Sequence, residues 1–390
     1  MSVKPEIVRD QEAMTQWRRD LHAHPEIAFE EHRTSAIVAE RLESFGIDVH
    51  RGLAKTGVVG RLKAGSGNRA IALRADMDAL PMEEHNDFDH RSEVDGMMHA
   101  CGHDGHTTML LGAAKYLAEN KGFDGTVYFI FQPAEEGEGG GKVMIEEGLF
   151  EQFPVETVFG LHNWPGMPVG QFGIAAGPMM AAFDIFDLKI TGHGSHAAMP
   201  HQGVDSIVTA SQVVTALQTI ASRNTNPLDA LVVSVTQIHG GDAYNIIPDS
   251  VQLRGTVRSF KDSVGEYAEQ AIRRIATGIC EAVGATMQLD YQRRYPSTIN
   301  HADETELAAA AAASVVGEDN IDRHPVPSMG SEDFAYMLRE RPGCYVWLGN
   351  GAAEGGCMLH NPGYDFNDDI LPIGASYWAT LVEQILPEER

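Results

Sequence analysis

This 390-residue sequence predicts an α/β fold interrupted by an inserted α+β domain of ferredoxin-like pattern, and three observations predict it. Short β-rich runs alternate with helical stretches up to residue 182. Near Phe183 the rhythm changes to βαββαβ over about 115 residues, the size and order of a ferredoxin-like unit. The first rhythm then resumes near Asn300, so the expected domains are 1–182 and 299–390 for the α/β part and 183–298 for the insertion.

Each element has a local reason. MTQWRRDLHAHP and EHRTSAIVAERLESFG read as helices: in the second, Ala36, Ile37, Ala39, Leu42 and Phe45 recur at helical spacing and Gly46 supplies the stop. VVGRL, AIALRADMD, TVYFIFQPA and TVFGLHNWP are strand-like runs separated by helical stretches such as TTMLLGAAKYLAEN, an alternation that implies a largely parallel sheet. Such sheets gather ligands at the carboxyl ends of their strands. The insertion reads as the strand FDIFDLKITG, a helix over Asp205–Arg223, the strands ALVVSVTQIHG and SVQLRGTVRSF, a helix over Ser263–Val283 and the strand TMQLDYQRRY. An Ala-rich helix and the strand CYVWLGN follow. The run GEGGGK (137–142) lacks the closing Ser or Thr of a phosphate loop and reads as a flexible turn.

Composition narrows the function. The chain is 43% hydrophobic, enough for sizeable cores, yet its apolar runs are short and broken by Gly, Pro or charge. The N-terminal MSVKPEIVRDQEAMTQWRRD has no apolar signal region, so the expected location is cytoplasmic. Four cysteines without framework spacing read as thiols of a reducing compartment. A net charge of −26 repels phosphate backbones and anionic lipid. It argues for a small-molecule partner and against nucleic acid or a membrane surface.

The chemistry concentrates in HACGHDGHTT, residues 99–108. Cys101 and His103 stand two apart just before a helix, and thiolate and imidazole are good ligands for divalent transition metals. A lone Cys-x-His reads more simply as a small buried hydrophobe beside a polar residue; its company weakens that reading. Glu135 and Glu136 follow directly on a strand end, where adjacent side chains diverge: one suits a metal, the other the proton of a water whose pKa a metal lowers. A solvated acidic turn is the plain alternative for that pair. His162 ends another strand, His360 precedes a further helix, and Asp76 and Asp78 end a third strand. Several segments delivering Cys, His, Asp and Glu to strand ends of one sheet favour a metal site. In the insertion, GHGSHAAMPH carries His193, His196 and His201, where an imidazole suits oxyanion stabilisation if the insertion faces the metal site, and Asn245 and Arg258 follow, an arginine being a natural fork for a carboxylate. Taken singly, surface histidines and a salt-bridged arginine are the simpler reading, and spacing alone assigns no role here.

Taken in order, DLHAHPE, LRADMDALP, MHACGHDGHTTMLLGAA, FQPAEEGEGGG, GLHNWPGMPVG, GHGSHAAMPHQGVD, NIIPD, GTVRSF, MGSEDFA and LHNPGYDFND resemble the hippurate hydrolase and N-acyl-amino-acid amidohydrolase family. That family is a branch of the aminoacylase/carboxypeptidase-type di-metal peptidases, and plant auxin-conjugate hydrolases are similar. The likeness runs over essentially the whole chain. It implies a di-metal exopeptidase-like catalytic domain and a lid that mediates dimerisation, with a homodimer or homotetramer expected. By resemblance the metal ligands are Cys101, His103, Glu136, His162 and His360, the general base is Glu135, and His196 polarises the scissile carbonyl. Asn245 and Arg258 become lid residues near the substrate, an N-acyl amino acid. Two divalent ions per subunit are implied by the resemblance, Zn or Mn before Co or Ni; the Cys/His/Glu donor set itself is compatible with all four and ranks none of them. Where most branches carry His-x-Asp this chain has Asp76-Met77-Asp78, so the first histidine ligand of those branches is not carried over and whether Asp76 is a ligand stays open. His99, Asp104 and His106 become supports of the ligands or plain structure. Three other readings stay open: a dipeptidase or carboxypeptidase of the same chemistry, a hydrolase with Cys101 as nucleophile, and a binding protein that performs no chemistry.

Overall fold

A computed structural model describes residues 1–352 and 357–388, and the chain divides into two compact units. The first comprises Met1–Met179, Ile299–Val326 and Asp333–Arg390; the second, Met180–Thr298 and Pro327–Glu332. Among the described residues no helix is long and apolar enough to cross a membrane.

The first unit is built on one mixed sheet of eight strands, in the order Asp48–Leu53, Gly57–Ala64, Gly125–Gln132, Ala70–Asp76, Thr157–Pro165, Gly343–Gly351, Phe172–Gly173 and Ile321–Asp322. The middle four are parallel to one another. Their near-continuous apolar sequences suit strands covered on both faces, and Gly125–Gln132 is buried at every position. The VVGRL strand departs from the parallel expectation. It pairs antiparallel with both neighbours, because a tight turn through Ala54, Lys55 and Thr56 folds it back on Asp48–Leu53. That partner strand, DVHRGL, shows no clear alternation and is not legible in the sequence. Helices Gln11–Ala23, His103–Asn120, Ala302–Val316 and Leu371–Ile385 add Met14, Leu110, Ala312 and Trp378 to a single core with Phe129 and Phe159 of the sheet.

Register decides what the parallel strands present. Asp76 pairs with Gln132, Arg74 with Gly160 and His162 with Trp347, so the carboxyl ends of the four parallel strands lie along one edge. The glycine run beyond Gln132 is more ordered than a flexible turn. Helix Gly140–Glu146 starts within it, and the Gly141 N–H donates to Asp333 Oδ2 at 2.8 Å. A Cβ on Gly140 would stand 1.8 Å from the Pro133 carbonyl oxygen, which is why a side chain is excluded there.

The second unit has an antiparallel sheet in the order Leu231–His239, Ser250–Ser259, Ala182–Thr191 and Thr286–Tyr295. With helices Ser206–Thr219 and Asp262–Val283 this is the ferredoxin-like order 4-1-3-2 read from Thr286–Tyr295. Alternation along Ala182–Thr191 buries Phe186, Leu188 and Ile190 against Val213, Leu217, Ile272 and Ala276 of the helices. Asp205 caps the first helix by accepting from the Ile207 and Val208 N–H groups.

Candidate metal centre

At the carboxyl edge of the first unit's sheet the donor atoms of six predicted residues converge in overlapping clusters. Those of Cys101, His103 and His162 lie within 4.8 Å of one another, as do those of Cys101, Glu136 and His360 and those of His103, Glu135 and Glu136. Local structure explains each approach. Gly102, at φ +96°, turns the chain into helix His103–Asn120, so Cys101 and His103 flank a left-handed residue that a Cβ would jam against the Asn163 side chain. Ala134, at φ +54°, turns the chain off the strand end and brings ligand atoms of Glu135 and Glu136 within 4.8 Å of one another and of His103. His360 also has positive φ, +60°, and stands 3.2 Å from Glu136 Oε1.

Hydrogen bonds leave the ligating atoms uncommitted. His103 donates from Nδ1 to the Asp78 carbonyl at 2.8 Å, and its buried Nε2 has no hydrogen-bond partner among the described residues. His162 donates from Nδ1 to the Asn163 carbonyl at 2.6 Å, leaving Nε2 toward the Cys101 sulfur 3.4 Å away. Orienting one ring nitrogen so that the other faces the site is how imidazole ligands are held. Asp78 Oδ2 accepts the Glu136 N–H at 2.9 Å. Glu135 is buried, and its Oε1 accepts from the Asp333 N–H at 3.4 Å.

The electrostatics suit a bound cation. Burial works against charge on His103, yet Asp76, Asp78 and Glu136 raise its pKa to about 10, so the surroundings favour positive charge at Nε2. Burial and the neighbouring His106 hold His162 well below the usual histidine range, neutral and able to ligate. Burial, then Glu136, Glu135 and Asp76, push the Cys101 thiol well above its ordinary value. That is the reverse of what a cysteine nucleophile needs, and a cation would undo it.

The supports are partly new. Asp76 is fully buried: its Oδ2 accepts from Arg74 Nη1 at 2.7 Å and its Oδ1 bonds His106 Nδ1 at 2.6 Å, so each oxygen already has a partner. Arg74 also reaches Gln132 and Asp333, at 2.9 and 3.0 Å. A charged residue inside the apolar run AIALRAD was the sequence signal for such a buried pair. Asp104 accepts from His22 Nδ1 at 2.9 Å and stands 3.6 Å from the buried Arg18. His99 is buried with neither ring nitrogen partnered among the described residues, and burial lowers it to about 4.

Of the other predicted residues, His196, Asn245 and Arg258 belong to the second unit. His196 and Asn245 are exposed and share a cleft of about 700 Å³, where the Ala197 N–H donates to the Asn245 carbonyl at 3.0 Å. Arg258 is partly buried, stacks over Phe183 with 4.1 Å to the ring centroid, and donates to Ser331.

A sheet edge that assembles thiol, carboxylates and imidazoles, with histidine Nε2 atoms aimed at one another's neighbours, defines a metal-dependent amidohydrolase. The chain belongs to peptidase family M20/M25/M40, whose model matches residues 72–384. It is 40% identical to hippurate hydrolase of Campylobacter jejuni over 99% of this chain and 100% of that one. Thermostable carboxypeptidase 1 of Saccharolobus solfataricus is 38% identical, with 97% of each chain covered. A solved Bacillus subtilis structure, described as a dinuclear metal-binding peptidase of the M20 family, superposes with a TM-score of 0.85 at 34% identity, covering 97% of this chain and 99% of that one.

Proposed function

We propose that this protein hydrolyses the amide bond of N-acyl amino acids, N-benzoyl or N-acetyl, releasing a carboxylic acid and a free amino acid. Cys101, His103, Glu136, His162 and His360 would hold two divalent ions, Zn or Mn before Co or Ni, and Glu135 is the general base. The observation that carries this reading is a buried His103 Nε2, without a hydrogen-bond partner among the described residues, clustered within 4.8 Å with two adjacent glutamates that follow the turn at Ala134. When bound, the ions supply Lewis acidity, lowering the pKa of a water and polarising the scissile carbonyl. Glu135, buried and beside the ligand set, takes the water's proton and returns it to the departing amine. Asp78 keeps His103 in the tautomer that offers Nε2 and fixes the Glu136 backbone. On the substrate side we assign His196 to the carbonyl oxygen, and Asn245 and Arg258 to binding, the guanidinium taking the substrate carboxylate. The assembly is a homodimer or homotetramer, to be read by light scattering.

The test is release of free amino acid from a panel of N-benzoyl- and N-acetyl-amino acids and dipeptides, before chelation, after it, and after adding back Mn or Zn. Hydrolysis that chelation abolishes and metal restores supports the reading. Chelator-resistant turnover would return Cys101 to consideration as a nucleophile. The likeness to a carboxypeptidase favours one second reading, a metallo-carboxypeptidase or dipeptidase; dipeptides turned over in preference to N-acyl amino acids would establish it, since only pocket shape separates the two.

A further inference from the structure

Among the described residues six that are not glycine have positive φ, and four of them lie on three segments that meet at one side chain. Phe29 (+62°) offers its own N–H to Glu31 Oε1 at 3.0 Å, and Ala134 (+54°) offers its N–H to the same oxygen at 2.9 Å. Thr56, directly after Ala54 (+48°) and Lys55 (+67°), donates its hydroxyl to Glu31 Oε2 at 2.6 Å. Glu31 is fully buried, and it caps nothing: its side chain makes no bond to the first turn of helix His32–Ser44, which it precedes. Left-handed backbone at residues with a Cβ persists only where the surroundings over-determine it. Here one carboxylate collects three donors from three separate stretches of chain, each of them strained.

We propose that Glu31 is a positioning residue of the hydrolytic site: it locks Ala134 in the left-handed conformation from which Glu135 and Glu136 enter the cluster beside His103. The inference rests on the roles given above to those two glutamates. The turn is pinned on either side of Glu135, Ala134 by Glu31 and Glu136 by Asp78, and it closes through the Gly140 N–H on the Ala134 carbonyl at 2.9 Å. Releasing the first pin lets residue 134 relax toward an ordinary extended or helical conformation, and the side chain of the next residue swings with it. A displacement of about 1 Å at a catalytic group is enough to cost on the order of 100-fold in rate.

The test uses the full chain loaded with Co(II), following kcat and KM for N-benzoylglycine, the visible absorption of the bound Co(II), and the melting curve. Glu31→Ala should lower kcat by about 100-fold with KM within about twofold of the parent, and should shift the Co(II) band through Glu136. Glu31→Gln should recover kcat to within about fivefold, because its amide oxygen still accepts both N–H groups while its NH2 faces a Thr56 hydroxyl free to turn. A folded Glu31→Ala protein with parental kcat overturns the proposal, as does a folded Glu31→Gln protein no better than Glu31→Ala. Should Glu31→Ala fail to fold, Thr56→Val decides, since it removes one bond of the three: a several-fold loss in kcat supports the role and an unchanged kcat overturns it. Glu135→Gln is run alongside. If that variant turned over at the parental rate, the base assignment would fall, whereas a Co(II) band shifted by Glu31→Ala would still show Glu31 acting on Glu136.

Discussion

Glu135 and Glu136 are neighbours in sequence with different surroundings, and the two residues make different predictions. Glu135→Gln keeps the shape and loses the base, so metal content measured by atomic emission should stay at the parental level while kcat falls by about 10²–10⁴-fold. Cys101→Ala removes a donor from two of the clusters at once; it should lose bound metal on dialysis, and activity with it. Full metal retention in Cys101→Ala would exclude the thiol as a ligand. At this scale the sequence was informative where a motif is compact: Cys101 and His103 stand out in ten residues, and the glutamate pair stands out at a strand end. It was silent on Glu31, because EEHRT resembles any solvated helix start, and only the folded chain brings Phe29, Thr56 and Ala134 onto that carboxylate.

Helix His103–Asn120 is the element that carries the site. Its first turn is buried on every side, and Gly105 lies against Phe366, with an added Cβ only 2.1 Å from that ring. In an exposed helix Gly→Ala would stabilise by about 1 kcal/mol. At Gly105 overpacking against a buried ring reverses the sign, and Gly105→Ala should destabilise by roughly 1–3 kcal/mol in denaturant melts while loosening metal held by His103. The same turn is tied to helix Gln11–Ala23 through His22. Burial opposes charge on His22, but Asp104 and Glu84 raise its pKa from 6.5 to about 9. The folded chain therefore keeps a proton that the unfolded chain gives up; the stabilisation is complete below pH 6.5 and lost as pH rises through about 9. Between those values the Tm of metal-free parent should fall more steeply than that of His22→Gln, and parallel curves would show that His22 does not carry this proton.

For the molecule as a whole, an ion that binds only the folded first unit stabilises it by mass action, about 2.7 kcal/mol at a hundredfold excess over Kd. Chelation should accordingly lower the melting transition of the unit that holds Cys101, and calorimetry with and without chelator reads that shift directly. An unmoved transition would mean that the site binds no metal at working concentrations. The sequence by itself determined the alternation of strands and helices, the ferredoxin-like insertion and the identity of the candidate ligands, because periodicity and residue chemistry are local properties. It could not show that VVGRL turns back antiparallel, that the glycine run starts a helix, or that Arg74 and His106 occupy both oxygens of Asp76. Those outcomes depend on which backbone donors and which buried charges meet across long stretches of sequence. Burial makes an unmet partner costly, and only the tertiary structure decides which residue meets which.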